Sequence, residues 1–164
     1  MKNINETAAA STAAALGIAE AELRTAADML AKLESDTQTP AHELAPKLSN
    51  ARETVRLLDE RATQARADYR RELAQAVEER AQEVEAEAAA LDVEAAAVVS
   101  EVRGYLLKHF SEQATETLLT RERPAQAAEL ARRATNIRGH VESARNTAKN
   151  SLELALQELF NINA

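Results

Sequence analysis

The chain has 164 residues, a formal charge of −7 and no cysteine, which removes disulfide frameworks, thiolate metal sites and a Cys nucleophile from consideration. Although 45% of it is hydrophobic, 37 residues are alanine and Leu, Ile, Val and Phe together number only 33, so any core is thin. Ala, Glu, Lys, Leu and Arg fill 98 positions, with three Gly, three Pro and four aromatics, a balance that excludes most β architectures and points to long helices.

The start, Met1-Lys2-Asn3 and onward through Ala15, carries one early lysine and a mainly alanine stretch, so it is not read as a secretory signal. Asn5-Glu6-Thr7 matches a glycosylation acceptor but reads as the capping region of a first helix over 5–34. Leu16, Ala19, Leu23, Ala26, Leu30 and Leu33 recur at spacings of three and four there, a coiled-coil seam. Ser35-Asp36-Thr37-Gln38-Thr39-Pro40 breaks that helix, and Pro46 is placed in the first turn of the next, with Ser35 and Ser49 as capping residues.

A very long helix is predicted over 46–104. Its seam runs through Leu48, Ala51, Val55, Leu58, Ala62, Ala65 and Tyr69, and resumes through Val84, Ala88, Leu91, Ala95, Val98 and Val102. Between them, Leu73, Val77 and Ala81 step by four, which locally unwinds a supercoil. Gly104 weakens the helix, a short helix is expected over 111–123, and Pro124 opens a last helix over 124–160. The last stripe is Ala127, Leu130, Ala134, Ile137, Val141, Ala144 and Ala148, after which Leu152, Leu154, Leu156, Leu159, Phe160 and Ile162 cover more than half the circumference.

The expected fold is therefore all-α: an elongated antiparallel coiled coil or three-helix bundle in a single domain, with one very long central helix and a projecting two-helix arm. At 1.5 Å per residue the three helices would span roughly 45, 88 and 55 Å. A tight pivot near Lys108 and Phe110 would return the last helix as far as Leu57, beside the first. The same pivot sets Arg132, Arg133, Arg138 and Arg145 opposite Glu85, Val84, Glu79 and Glu72. Charge favours that hairpin, since eight acids and one base occupy residues 78–101 while seven bases and three acids occupy 121–149.

Catalytic signatures are missing. There is no G-x-G-x-x-G, Walker A loop or H-E-x-x-H, and the residues three before His42, His109 and His140 are Thr39, Leu106 and Ile137 rather than the glutamates of a di-iron bundle. His109 and Glu112 are spaced to share a helix face, but read as a histidine near a turn. The carboxylates between Glu78 and Glu101 read as a solvated or salt-bridged face. No serine lies in a glycine-flanked strained turn. The expectation is a protein without catalytic activity, cofactor or metal.

One cluster departs from the alanine pattern. Tyr105, Leu106, Leu107 and Phe110, followed by Leu118 and Leu119, gather large apolar side chains at the pivot. Either residues 111–123 plug them, or they form a surface for a partner protein. The expected function is a cytoplasmic helical interaction module, acting as an adaptor, scaffold or inhibitor by docking onto another protein. Its composition resembles that of phage and mobile-element accessory proteins, of scaffolding proteins and of granule-coating proteins, with no motif to single one out. The alternatives are a self-assembling structural coiled coil, since alanine seams gain from a second copy, and nucleic-acid binding through the basic face of Arg132, Arg133, Arg138 and Arg145. Nucleic acid is disfavoured because the acidic helix would neutralise that face, and membrane coating because the seams are alanine.

Overall fold

The computed structural model describes residues 4–163, with side chains from 10 to 162, and every regular element in that span is helical. In chain order these are α1 (Ile4–Glu34), α2 (Ala41–Leu106), α3 (Glu112–Arg121), α4 (Ala125–Ala148), α5 (Leu152–Phe160) and a closing 3₁₀ turn (Asn161–Asn163). The chain divides into two compact units, Met1–Ala76 and Val77–Ala164, and the division falls inside α2. The side chains of Asn5, Glu6 and Thr7 lie outside the described residues, so the expected cap or glycosylation triplet is placed only as backbone within α1.

Helix α1 stops where its last turn finds side-chain and backbone partners. Ser35 N donates to Ala31 O at 3.1 Å, and Ser35 Oγ to Lys32 O at 3.0 Å. Asp36 then organises the turn: its Oδ1 accepts from Gln38 N at 2.8 Å and Thr39 N at 3.1 Å, and its Oδ2 from Thr39 Oγ1 at 2.6 Å. The carbonyl of Pro40 receives both Glu43 N and Leu44 N at 3.0 Å, so α2 begins at Ala41 rather than at 46. Pro46 accordingly sits inside α2, where its missing N–H forfeits one helical bond, and Ser49 lies in the helix rather than at its start.

In the first unit, α1 and the early part of α2 pair antiparallel, for residue numbers fall on one as they rise on the other. Arg52 meets Glu34 at 3.0 Å, Arg61 meets Glu22 at 2.8 Å and Arg66 meets Glu20 at 2.9 Å. The two expected seams face inward, but among the described residues of this unit only Ala19 on α1 and Ala62, Leu73 and Ala76 on α2 are buried. Leu16, Leu23, Leu30, Val55 and Leu58 remain half-buried, because two helices can shield each seam from only one side.

The second unit contains the stronger core. Val77, Ala81 and Val84 of α2, Val141 and Ala144 of α4, and Ala155 and Leu159 of α5 form one buried cluster, edged by Ile137, Ala148, Leu152, Leu156 and Ile162. A second cluster joins Ala95 to Ala127 and Leu130, with Leu91, Val98 and Val99 beside it. Each fully buried leucine or valine contributes about 1.5–3 kcal/mol against about 0.8 kcal/mol for a methyl, so Leu159, Val84 and Val141 outweigh the alanines around them.

Two expectations about this half are corrected. The helix over 124–160 is two helices, since α4 ends at Ala148 and Ser151 caps α5 by accepting from Leu154 N at 3.3 Å. Thr147 Oγ1 reaches Glu158 at 3.1 Å, which only a fold-back of α5 along α4 allows. The wide leucine surface after residue 150 is thus a reset of helical phase at a break, and the short helix that follows packs on both α2 and α4. The register also moves. Arg138 pairs with Asp92 instead of Glu79, and Arg145 with Glu85 and Glu78 instead of Glu72. The chain reverses through α3 and its flanking loops rather than through a tight pivot at Lys108 and Phe110.

Candidate interaction surface

At its C-terminal end α2 passes into a hydrogen-bonded coil that fixes the apolar cluster. Leu107 N donates to Arg103 O at 3.0 Å, Lys108 N to Tyr105 O at 3.2 Å, His109 N to Leu106 O at 2.9 Å and Phe110 N to Leu106 O at 2.8 Å. Ser111 then caps α3, its hydroxyl accepting from Ala114 N at 3.4 Å, and Arg103 ties α3 back to α2 through Glu116 at 2.7 Å and Glu112 at 3.6 Å. The Tyr105 and His109 rings lie 5.0 Å apart and tilted by 50°.

These bonds hold large side chains toward solvent. Tyr105 is 63%, Phe110 50%, Leu107 44% and Leu118 39% exposed, while Leu106 and Leu119 are half-buried. Leu106 and Leu119 are thus covered in part, and the other four are open. Its one fully buried side chain is Thr115, whose Oγ1 has no hydrogen-bond partner. The threonines at 117 and 120 instead donate to the carbonyls four residues back, at 2.8 and 2.7 Å.

The sequence-derived basic face is mostly engaged. Arg132 pairs with Glu129 on its own helix at 2.8 Å, Arg138 with Asp92, and Arg145 with Glu85 at 2.5 Å and Glu78 at 3.1 Å. The guanidinium beside it lowers the Glu78 carboxyl below the ordinary glutamate value, with the Gln82 amide adding to the effect. Of the four arginines, Arg133 makes no ion pair among the described residues.

Other polar groupings were not legible in the sequence because the fold-back of α5 creates them. His140 and Ser143 of α4 line a hollow of about 400 Å³ with Glu158, Asn161 and Ile162. Its carboxylate is turned to Thr147. Arg80 lies 5.2 Å from the centre of the Phe160 ring and donates to Glu83 at 2.9 Å, while its buried Nε has no partner. Among the described residues no three His, Asp or Glu side chains are grouped to hold a metal ion, and no helix is long and apolar enough to cross a membrane. Glu112, spaced to share a ligand with His109, is turned to Arg103.

Comparison of the chain with protein-family models, curated proteins and solved structures gives no match. The functional reading rests on the geometry alone.

Proposed function

We propose that the protein is a non-enzymatic helical interaction module, an adaptor, scaffold or inhibitor that docks onto another protein through the turn between α2 and α3. The observation that carries this reading is the exposure of Tyr105, Leu107, Phe110 and Leu118 on a backbone fixed by hydrogen bonds. Apolar patches of this kind cost solubility and usually mark contact surfaces, and aromatic side chains supply much of the binding energy where they enter a partner's pocket. A pre-ordered turn also reduces the entropy lost on binding. The engagement of Arg132, Arg138 and Arg145 by acids speaks against the same chain using that face for nucleic acid.

The test is the pair of substitutions Leu107→Asp and Phe110→Asp in the full chain. Both residues are exposed, so helicity should persist while capture of the partner from the native host is lost. Retention of the same partner by the doubly substituted protein would refute the turn as the contact surface.

A further inference from the structure

We propose that the protein is a homodimer in which two copies of the α1–α2 hairpin pack face to face as a four-helix bundle. The surface lies in the first unit and is independent of the α2–α3 turn. Two helices alone leave this unit thinly packed: of its buried side chains, Ala19, Ala62, Leu73 and Ala76, three supply a single methyl. The two faces of the hairpin differ in kind. Arg61 and Arg66 lie about 140° apart round α2 and reach α1 from opposite sides, Arg61 to Glu22 and Arg66 to Glu20. On the Arg66 side stands a further ion pair, from Arg52, two heptads earlier, to Glu34 at 3.0 Å. The Arg61 side is apolar. Ile18, Glu22, Thr25 and Met29 share it on α1 by their steps of four, three and four, and Leu57 stands one turn before Arg61 on α2. Ile18, Met29 and Leu57 are each more than half exposed. Between the helices runs an open groove of about 440 Å³ lined by Ala21, Glu22, Thr25, Ala26, Met29 and Leu58.

Three properties of this face select a second copy as its occupant. The first is its symmetry: Ile18 and Met29 stand equally far on either side of the midpoint of Glu22 and Thr25. A twofold axis through that midpoint, perpendicular to the helices, sets Ile18 of each copy over Met29 of the other and stacks the hairpins antiparallel. The second is charge. Arg61 neutralises Glu22, the carboxylate in the groove, at 2.8 Å, so identical faces meet there without a net charge to repel them or to attract an oppositely charged partner. The third is area. The paired stretch over residues 10–34 is about 37 Å long at 1.5 Å per residue, and two helices about 9 Å apart present a width of about 19 Å. Each copy thus offers about 700 Å², and the pair about 1,400 Å², within the range of specific stable interfaces. Stacking the hairpins gives each half-buried seam the second layer that a four-helix bundle supplies.

The test is light scattering with chromatography on the full-length protein at tens of micromolar, joined to single-cysteine cross-linking. The mass should be twice the 17.8 kDa of one chain, and should fall to that of one chain on substituting Ile18→Glu and Met29→Glu together, with helicity retained because both residues are exposed. The chain has no cysteine, so Thr25→Cys, beside the axis, should give a disulfide-linked pair on mild oxidation. Ala27→Cys, seven residues beyond Glu20 and therefore on the charged side, should not. The cysteine pair uses an otherwise unaltered chain, so it decides the matter even if the double variant folds poorly. A chain that stays monomeric at that concentration would overturn the dimer, and a photoreactive residue at Met29 that then joined it to a different protein in the host would give the face to that partner. A dimer that survives the double substitution, or that links as readily from Ala27→Cys as from Thr25→Cys, contradicts this interface. A dimer lost only with Leu107→Asp and Phe110→Asp would move self-association to the α2–α3 turn and contradict it equally.

Discussion

Arg145 on α4 grips Glu85 on α2 with two prongs, Nη1 to Oε1 at 2.5 Å and Nη2 to Oε2 at 3.3 Å. The same Nη2 reaches Glu78 at 3.1 Å, two turns earlier on α2. With Arg138 paired to Asp92, this contact runs α4 antiparallel to α2 beside the buried cluster that includes Val84 and Val141. The pair is about 40% exposed, so its contribution is set by solvent screening. Substituting Arg145→Gln is expected to cost about 0.5–1 kcal/mol. A double-mutant cycle with Glu85→Gln, read by urea unfolding, should give a coupling of that order that shrinks as salt is added.

Acid should weaken the protein through the same contact. Hydrogen bonding from Arg145 lowers the Glu78 carboxyl, Arg56 does so for Glu53, and Arg132 for Glu129. Each depressed group favours the folded state above the ordinary glutamate value, and that contribution is lost as pH falls through the lower folded value. The melting temperature is therefore expected to be flat between about pH 6 and 8 and to fall below about pH 5. Circular dichroism melts across that range check the slope, and Glu78→Gln should make it shallower.

The core of the second unit sets the larger energies. Leu159 and Val141 are fully buried in one cluster, so Leu159→Ala should cost about 2–4 kcal/mol and Val141→Ala somewhat less. Leu154, on the outward side of the same short helix, should tolerate alanine with a change under about 0.5 kcal/mol. Equal losses at Leu154 and Leu159 in denaturant titrations would contradict the packing of α5 on α4 and α2.

Two local features offer stabilising substitutions. Gly139 lies inside α4, and a methyl built there meets nothing within 4 Å, so Gly139→Ala should stabilise by about 0.5–1 kcal/mol. Thr115 buries an unpaired hydroxyl, and the near-isosteric Thr115→Val removes that penalty, with an expected gain of about 1 kcal/mol. Thermal melts of the two single variants and their combination check both, and the effects should add because the sites lie on different elements with no shared contact.

The seams were legible in the sequence because helical periodicity needs only the spacing of apolar residues. Val55, Leu58, Ala62 and Ala65 line one side of α2, and the steps of four through Leu73, Val77 and Ala81 fall in its buried stretch, as the spacing implies. The break at residues 149–151 was harder to see. Asn150 and Ser151 are turn formers, but they stand between strong helix formers without glycine or proline, and the signal was the abrupt change of apolar phase from Ala148 to Leu152 and Leu154. Charge gave the partners of α4 but not their register, because acids recur on α2 at Glu78, Glu85 and Asp92, and Arg138 and Arg145 find carboxylates in more than one alignment. Composition picked out Tyr105 to Phe110 as the place where alanine gives way to large side chains. Their exposure depended on how α3 lies, which periodicity over ten residues does not determine.

Site-specific photo-cross-linking in the native host tests the docking role most directly. A photoreactive amino acid placed at Leu107 or Phe110 should join the chain to one discrete partner protein, while the same group at Val93, an exposed α2 position away from the turn, should not. Cross-links from Val93 as strong as those from Leu107, or adducts from Leu107 and Phe110 only to further copies of this chain, would contradict it.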